Sequence, residues 1–388
     1  MSRATIDYVA RAKELQPLVR EHALEAERQR HLPEAVAQAM ANSGLYLVAG
    51  PASIGGGEIH PKDQIRVIEA IAAADGATGW NLMIGIEATG MASAALPPET
   101  AAEIFKKRNT IFSGALNAKG RAQRAEGGFV ASGQWPFVSG CHNADFFHGQ
   151  CIVVDEQGES LRREDGSVEL CEILVPKAQF EIVDTWHTVG MRGSGSHDVR
   201  VQGVFVPETH ITHTFYGARH TGTLFRLPPR TRLAYNKTGV ATGIARAALD
   251  AFVELATAKV PRLSRDTLAE RAMAQIALAE AESTLRSARA WVFEVVDELW
   301  ETAASGGEFT QRQRAMVQLA CSFAARASTR AVELVCEAAS TSSNLEGGVL
   351  ERCRRDVHVV PQQIMASGQW IEAAGRVLLG QDSRSPLF

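Results

Sequence analysis

The sequence predicts an α+β protein in which an N-terminal helical domain, a middle antiparallel β domain and a C-terminal four-helix bundle follow one another. Three observations lead to this prediction. Early in the chain, apolar residues recur at three- and four-residue spacing, which is typical of helices. In the middle, short runs of alternating apolar and polar residues lie between glycines, which is typical of strands. The last part shows helical periodicity over long segments. We therefore expect domains that span residues 1–112, 113–225 and 226–388.

Proline and glycine mark the ends of the N-terminal helices. Pro33 suits the first turn of a helix that ends at Ser43-Gly44, and Pro61 opens another that ends at Asp75-Gly76. A third helix is expected from about Thr78 to Leu96, where two prolines end it. Its many small residues suit close packing beside a flat group, although a plain buried helix has the same composition.

The stretch from Phe129 to Asp145 is the centre of the predicted β domain. Trp135 and Phe137 continue a two-residue alternation, and Ser139-Gly140 ends the strand. Such a strand offers aromatic surface, a hydroxyl and a free backbone amide, which a planar heteroaromatic cofactor such as a flavin needs. An ordinary half-buried strand followed by a turn has the same pattern.

Further strands are expected at 152–154, 172–175 and 199–206, where short apolar or alternating runs lie between glycines. Before the last of them, Gly193 and Gly195 alternate with Ser194 and Ser196. The amides and hydroxyls of such a loop can face an anion or the polar edge of a cofactor. An ordinary tight turn is the alternative interpretation.

Helical periodicity returns at Arg230 and continues to the end of the chain. Long segments are expected at about 266–303, 311–341 and 350–379, and Ser-Gly-Gly and Glu-Gly-Gly separate them. Four long helices with short connections predict an antiparallel bundle.

Composition excludes several classes of protein. The 388 residues carry a net charge of −4, with no basic stripe, so we expect no nucleic-acid partner. No apolar run is long enough for a membrane span, and the N-terminus lacks the apolar region of a secretory signal, so a cytoplasmic location is expected. Six cysteines without a C-x-x-C pair argue against a disulfide framework and a structural zinc site.

The chain resembles the acyl-CoA dehydrogenase superfamily, and within it most closely the flavin-dependent monooxygenases with a type-2 dehydrogenase C-terminal domain. The resemblance covers nearly the whole chain. It is carried by the domain order and by Trp135-Pro-Phe-Val-Ser-Gly140, Trp186-x-x-x-Gly190-Met-Arg-Gly-Ser-Gly-Ser196, Gly243 to Phe252, Arg355-Asp356 with His358, and Gly375 to Gly380.

The resemblance implies a flavin, FAD or FMN, between the β domain and the bundle, and usually a homotetramer whose bundles pack together. The residues expected to bind the flavin are Trp135, Phe137, Val138, Ser139, Gly140, Trp186, Arg192, Ser194 and Ser196. Trp80 and His142 are expected to contact the substrate.

Enzymes of this superfamily catalyse two different kinds of reaction. Its dehydrogenases need a carboxylate that removes a proton from an acyl thioester, and the two family positions for it fall near Leu233 and Ile364. Neither residue is acidic. Loss of a general base costs roughly 10²–10⁴-fold in rate, so ordinary acyl-CoA oxidation is disfavoured.

The monooxygenases instead receive reduced flavin from a separate reductase and form a flavin C4a-hydroperoxide with O₂ in a pocket that excludes water. Ser139 matches the family serine beside flavin N5 and the substrate. Many members also use two histidines, whose positions here fall around Glu87-Ala88 and at Gln363, so both are missing. Gln363 can orient a substrate by hydrogen bonding but cannot accept a proton at neutral pH.

Three other groups are candidates for the missing acid–base function. Burial would raise the pKa of Glu87 into a useful range, and a salt bridge to a bundle arginine is the equal alternative. His358 is either a base or a structural partner of Asp356 or another neighbour, and His142 lies near enough to Ser139 in sequence to bind substrate.

No metal site is expected. The histidines of the β domain have no recognised ligand spacing with a carboxylate. They are His142, His148, His187 and His197, and the last two flank the Gly/Ser loop, where they either touch flavin or face solvent.

The leading hypothesis is a two-component flavin-dependent monooxygenase that hydroxylates a small aromatic or other apolar molecule and uses O₂ and a flavin reductase. The alternative is an FAD-dependent acyl-CoA dehydrogenase-type enzyme that oxidises a CH–CH bond with a relocated base such as Glu87. A third hypothesis is a flavin-binding scaffold without activity.

Overall fold

The structure, a computed structural model, describes residues 6–215 and 219–385. Its N-terminal part is helical, and the helices predicted to follow Pro33 and Pro61 and the third, small-residue helix are all confirmed. The elements are α1 (Tyr8–Glu14), α2 (Gln16–Gln29), α3 (Glu34–Asn42), α4 (Pro61–Ala72), α5 (Gly76–Ala95) and α6 (Pro98–Ile104). Asp75 caps α5, because its carboxylate accepts the backbone N–H of Thr78 at 2.8 Å.

Seven strands form one sheet in the described residues. They are β1 (Phe112–Ala125), β2 (Gly128–Trp135), β3 (Phe146–Val154), β4 (Leu170–Pro176), β5 (Glu181–Val183), β6 (Asp198–Pro207) and β7 (Ile211–Thr212). Their order is β5-β6-β2-β1-β3-β4-β7.

The prediction of a purely antiparallel sheet is wrong for one pair of strands. β1 and β3 run parallel, whereas all other neighbours are antiparallel. The segment 136–145 does not form a hairpin. It crosses the end of β1, so β2 and β3 lie on opposite sides of that strand, and this crossing places the Ser139 turn at the end of the sheet.

The C-terminal part is helical, but the predicted segment 350–379 is not one helix. Pro361 lacks a backbone N–H and clashes with a continuing helix, and two 3₁₀ turns (Val360–Gln362 and Ile364–Ala366) replace it. The elements are α7 (Thr223–Arg226), α8 (Pro229–Ala258), α9 (Ala272–Ser305), α10 (Gln311–Ala339), α11 (Val349–Val357) and α12 (Gln369–Leu378). Three long helices and two short ones therefore build the bundle.

The N-terminal helices and the bundle share one hydrophobic core, and the sheet has its own. α4 packs at short range on both α5 and α8, because a glycine of each faces Ala72 at the end of α4. A Cβ atom on Gly243 would lie 2.6 Å from Ala72 Cβ, and one on Gly79 would lie 2.5 Å from it. The division of the chain at residues 112 and 225 stays a prediction.

The Gly/Ser loop is fixed to the bundle by one buried carboxylate. Asp356 of α11 accepts the backbone N–H of Met191 at 2.5 Å. Burial and the neighbouring Asp75 raise the pKa of Asp356 to about 7. This hydrogen bond therefore holds the loop against α11.

Within residues 6–215 and 219–385, no helix is both long and apolar enough to cross a membrane. The same residues hold no group of three or more histidine, cysteine or acidic side chains that could bind a metal ion. The six cysteines are free thiols, and all are buried.

Candidate active site

Three serine hydroxyls form a hydrogen-bonded chain at the end of β2. Ser139 Oγ lies 2.7 Å from Ser196 Oγ, which lies 2.7 Å from Ser194 Oγ. Trp80 of α5 donates its indole N–H to Ser139 Oγ at 3.0 Å. Three hydroxyl protons serve two bonds between serines, so one proton remains for a further acceptor. The structure thus joins Trp80, the Ser139 turn and the Gly/Ser loop into one buried polar surface.

Backbone hydrogen bonds hold the turn against the loop. Val138 donates its N–H to the carbonyl of His197 at 2.9 Å, and Gly140 donates to that of Ser194 at 3.0 Å. The side chain of Val138 packs in the core of the sheet, so only its backbone belongs to the polar surface. Gly140 has φ +76°, and a Cβ atom there would lie 3.0 Å from Asn81 Oδ1. This position therefore favours glycine.

Asn81 leaves a buried acceptor beside Gly140. Its Nδ2 donates to the carbonyl of Gly193 at 3.4 Å, but its Oδ1 has no partner among the described residues. Buried polar atoms are nearly always hydrogen-bonded. A donor from a bound molecule would satisfy this oxygen.

Phe137 and Trp186 supply exposed aromatic surface next to the serines. Phe137 is 67% exposed and has φ +64°, which turns its ring out of the sheet. Its ring meets the half-buried indole of Trp186 edge-on at 6.3 Å between centroids, and Trp186 Nε1 donates to the carbonyl of Met191 at 3.0 Å. Flat rings pack well against such a surface.

Trp135 does not offer such a surface, and its predicted role in flavin binding stays a prediction. Its ring is fully buried in the core of the sheet, edge-on to Phe147. Its indole N–H donates to the carbonyl of Gln150 at 2.6 Å. The physical reason is strand geometry: β2 ends at Trp135, and the backbone turn at Phe137 breaks the alternation that would have placed both rings on one face.

Arg192 is available to an anion near the loop. Its side chain is 42% exposed, and among the residues that the structure describes its charge partner is Glu27 of α2, at 4.0 Å. That distance is long for a charge-assisted hydrogen bond. The guanidinium thus keeps its donors for a ligand phosphate or carboxylate.

His142 lies in a cluster of three histidines between α2 and the sheet. Its ring stacks on His31 with 4.3 Å between centroids and meets His197 edge-on at 5.0 Å. Nδ1 of His142 is buried without a partner among the described residues, and burial lowers the pKa of this histidine to about 4. The stack with His31 occupies one face of the ring that was predicted to contact substrate.

Because the pKa of His142 in the folded protein lies below the ordinary value of 6.5, the unfolded chain binds its proton more readily. The stability that neutral His142 contributes is therefore expected to fall as the pH falls from 6.5 towards 4. His142→Phe keeps a stacking ring without a titrating proton and should flatten the decline of melting temperature between pH 7 and pH 5. Thermal unfolding at both pH values measures this, with the exposed His213→Phe as control. An unchanged decline in His142→Phe would contradict the assignment.

The other two histidines of the predicted set differ in environment. His187 is exposed and lies 3.4 Å from Asp184. His197 is buried, accepts at Nδ1 from the backbone amides of Thr185 and Trp186, and lies close to the carbonyl of Arg30. His197 therefore organises the loop, and His187 faces solvent.

Glu87 forms a buried ion pair with Lys237 of α8. Their charged atoms are 2.5 Å apart, and both side chains are almost fully buried. Burial raises the pKa of Glu87, and Lys237 opposes that rise. Of the two alternatives left open for Glu87, the structure combines burial with a salt bridge to the bundle, and the partner is a lysine rather than an arginine. Arginine and lysine both occur on α8, and only the packing of α5 on α8 selects Lys237.

Gln363 and His358 lie outside this buried cluster. Gln363 is half-buried between the two 3₁₀ turns, where its Oε1 accepts the backbone N–H of Met365 at 2.7 Å. The prediction that it lies in a long last helix is wrong because Pro361 ends that helix. His358 is half-exposed and pairs with Glu333 at 2.8 Å, rather than with Asp356.

We expect Gln363→Ala to lower substrate turnover more than His358→Ala does. Gln363 shapes the loop between α11 and α12, whereas exposed ion pairs such as His358–Glu333 contribute about 0–1 kcal/mol. Steady-state rates of product formation with saturating reduced flavin measure both variants. A larger loss in His358→Ala would mean that the surface pair, and not the loop, supports the reaction.

A cavity of about 440 Å³ lies between the sheet and the N-terminal end of α8. It does not include Ser139. Its polar lining consists of Gln150, Arg230, Thr231, Arg314 and Gln318. The cavity shows that the sheet and the bundle leave open space between them.

Sequence reasoning missed several polar residues that the structure places around α5. They are Asn81, Arg232, Asn236 and Lys237. The sequence did contain a signal for Arg232, Asn236 and Lys237, because the first turns of α8 carry charged and amide side chains within an otherwise apolar helix. Their burial, however, depends on α5, which is about 150 residues distant in the chain.

Both ends of the chain match family models. Residues 5–96 match the acyl-CoA dehydrogenase N-terminal domain, and residues 237–367 match the acyl-CoA dehydrogenase C-terminal domain. The fold and the site at the end of β2 define a flavoprotein of this class, and the chain belongs to the acyl-CoA dehydrogenase family.

Similar proteins of known activity identify the branch of the family. The chain is 32% identical to an indole-3-acetate monooxygenase of Pseudomonas putida, with 92% of this chain and 90% of that protein covered. It is 26% identical to the flavin-dependent monooxygenase oxygenase subunit HsaA of Rhodococcus jostii, with 89% and 90% covered. The chain is therefore an oxidoreductase, a flavin-dependent monooxygenase rather than an acyl-CoA dehydrogenase.

Solved structures share the complete fold. XiaF from Streptomyces sp. in complex with FADH₂ and glycerol superposes with a TM-score of 0.89 at 24% identity, covering 98% of this chain and 96% of that one. The HsaA monooxygenase from M. tuberculosis superposes with a TM-score of 0.88 at 22% identity, with both chains fully covered.

The residues around Ser139 fit a flavin. The serine chain has one proton to donate, Asn81 Oδ1 is buried and unpartnered among the described residues, and Phe137 offers an exposed ring. A flavin ring has a polar edge with both acceptors and a donor, and flat apolar faces. This set of groups therefore matches the cofactor that the family uses.

Proposed function

We propose that this chain is the oxygenase component of a two-component system and hydroxylates a small aromatic molecule with flavin reduced by a separate reductase. Relatives of similar length carry names of this kind: indole-3-acetate monooxygenase, resorcinol hydroxylase and p-hydroxyphenylacetate 3-hydroxylase. The observation that carries the proposal is the buried serine chain beside an exposed aromatic surface.

In this proposal the serine surface and the loop hold the flavin. Ser139, Ser194 and Ser196 bind its polar edge, together with the backbone of Gly140, and Phe137 and Trp186 lie against the ring. Arg192 binds its phosphate. When bound, reduced flavin supplies two electrons to O₂, so that one oxygen atom enters the substrate and the other leaves as water.

The protein's own part is to orient groups and to exclude water. Trp80 can only donate, so Ser139 must direct its own proton to Ser196 or to a bound molecule. The buried serines leave few sites for water, which protects a reactive oxygen species from decay.

For the acyl-CoA dehydrogenase alternative, neither the two family positions nor Glu87 offers a free carboxylate among the described residues. Leu233 and Ile364 occupy the two family positions, and neither is acidic. Glu87, the remaining candidate, is held in an ion pair with Lys237. Its carboxylate would have to leave a buried partner before it could accept a proton.

The test is oxygen-isotope incorporation. The purified protein is mixed with reduced FMN or FAD, ¹⁸O₂ and indole-3-acetate, and the products are analysed by mass spectrometry. We expect one labelled oxygen atom in the product, none without reduced flavin, and none when H₂O₂ replaces O₂. Unlabelled product, or anaerobic bleaching of bound oxidised flavin by an acyl-CoA, would overturn the proposal.

We also propose that the chain forms a homotetramer through its bundle. Apolar side chains on α9 and α10 are exposed in the single chain: Met273 (58%), Ile276 (58%) and Phe323 (44%). Exposed apolar groups of this size are typical of subunit contacts. Light scattering after gel filtration is expected to give four times the 41.9 kDa of the chain, and Ile276→Glu should reduce that mass.

A further inference from the structure

The buried charges between α5 and α8 do not balance. Arg232 is only 8% exposed, and its Nε atom is buried without a partner. The structure records no hydrogen bond or ion pair for this guanidinium anywhere in residues 6–215 and 219–385. Its guanidinium lies over the ring of Phe225, at 5.7 Å from the centroid, and Tyr235 and Glu87 are near enough to act on its charge.

The nearby carboxylate is already engaged. Glu87 lies close enough to Arg232 for each to influence the other's charge, but it is paired with Lys237 at 2.5 Å. Two cations and one anion therefore share this buried region. An unpaired charge away from water is costly, and proteins keep one where a ligand neutralises it.

Two acceptor atoms beside the cations also lack partners among the described residues. They are Glu87 Oε1 and Asn236 Oδ1, and both are buried. The amide group of Asn236 also faces Glu87 and opposes the rise in the pKa of that carboxylate that burial causes. Asn236 follows Arg232 by four residues on α8, so the two side chains share one face of that helix. The region thus offers an anion site with hydrogen-bond acceptors next to it.

Along α5, the carboxylate of this region lies about two helical turns from the residue that contacts the serine chain. Trp80, which donates to Ser139, and Glu87 are seven residues apart on α5 and so point to the same side of that helix. Two helical turns separate them, a distance of about 10–11 Å. An aromatic ring with a short acidic side chain spans such a distance.

We propose that Arg232 binds the carboxylate of an aromatic acid substrate whose ring extends towards Ser139. The planar guanidinium suits a carboxylate, because two parallel N–H groups match its two oxygens. This inference rests on the proposed function and narrows it. Among the substrates that appear in the names of the relatives, indole-3-acetate and p-hydroxyphenylacetate carry a carboxylate, and resorcinol does not.

Calorimetric binding of indole-3-acetate and its uncharged isostere indole-3-acetamide tests the site without turnover. The protein is expected to bind the acid at least tenfold more tightly than the amide. Arg232→Gln should lose at least tenfold affinity for the acid and less than twofold for the amide, and Arg232→Lys should recover part of the preference. The matched control Arg312→Gln removes an exposed arginine on α10 and should change neither affinity.

Thermal unfolding of the ligand-free protein separates ligand binding from a structural role. Because Arg232 is a buried cation without a carboxylate partner, Arg232→Met is expected to keep or raise the melting temperature, while indole-3-acetate no longer raises it. A lower melting temperature together with an unchanged preference for the acid would show that Arg232 serves the fold through Phe225 and would overturn the proposal.

The outcomes also distinguish this inference from the proposed function. If the protein binds and hydroxylates the acid and the amide equally well, the proposed monooxygenase activity stands and the proposed anion site at Arg232 is overturned. If the acid binds in a way that depends on Arg232 but no labelled product forms, the anion site is supported and the proposed hydroxylation is overturned. Failure of both compounds to bind would overturn the two together.

Discussion

Glu87→Gln is expected to lower the free energy of unfolding by about 3–5 kcal/mol, the usual cost of breaking a buried ion pair. The substitution keeps the shape of the side chain but leaves Lys237 and Arg232 as two buried cations without an anion. Urea unfolding, followed by circular dichroism at one fixed protein concentration, measures the change.

The matched variant Lys237→Met should cost less than Glu87→Gln. After loss of Lys237, the carboxylate of Glu87 still has Arg232 nearby, so the remaining charges balance. The double variant Glu87→Gln/Lys237→Met should be closer to the original protein than Glu87→Gln is, because only one unpaired cation remains. Equal costs for the two single variants would mean that Arg232 does not share this region electrostatically.

Ser139→Ala is expected to leave the fold intact and to lower the yield of hydroxylated product per flavin oxidised at least tenfold. Removing one hydrogen-bond donor from a polar active site costs roughly 10²–10³-fold in many enzymes. Ser139 is the serine that joins Trp80 to the other two hydroxyls, so its loss breaks the chain and leaves the indole N–H without an acceptor. Parallel assays of product and H₂O₂ measure the yield.

Ser132→Ala is the matched control for this experiment. Ser132 lies on β2, the strand that precedes the Ser139 turn, but it is exposed and accepts the backbone N–H of Gly203 at 2.8 Å. Its yield should stay within twofold of the original protein. If Ser139→Ala keeps the full yield as well, the serine chain is structural and does not act in the reaction.

The correct predictions at the level of secondary structure rest on local signals. Pro33 and Pro61 mark helix starts because proline fixes its own φ angle, and Asp75 marks the start of α5 because its carboxylate caps the first turn. Two-residue alternation likewise identified β2 and β6. Pro361, which divides the last helical segment, is a local signal of this kind that was overlooked.

The motifs also allowed the family to be recognised from sequence, and with it the flavin chemistry. Ser139, Ser194 and Ser196 were selected from two segments that are more than 50 residues apart, and the structure joins their hydroxyls. Their roles towards a bound flavin remain predictions.

The sequence by itself determined the helices, most strands and the family, because each depends on neighbours within a few residues or on short motifs. The tertiary structure alone decided the parallel pairing of β1 with β3, the burial of Trp135 and the exposure of Phe137. It also decided that Glu87 pairs with Lys237 while Arg232 stays unpaired. These features depend on contacts between distant segments, whose free energies arise only when strands and helices pack, so no local pattern contains them.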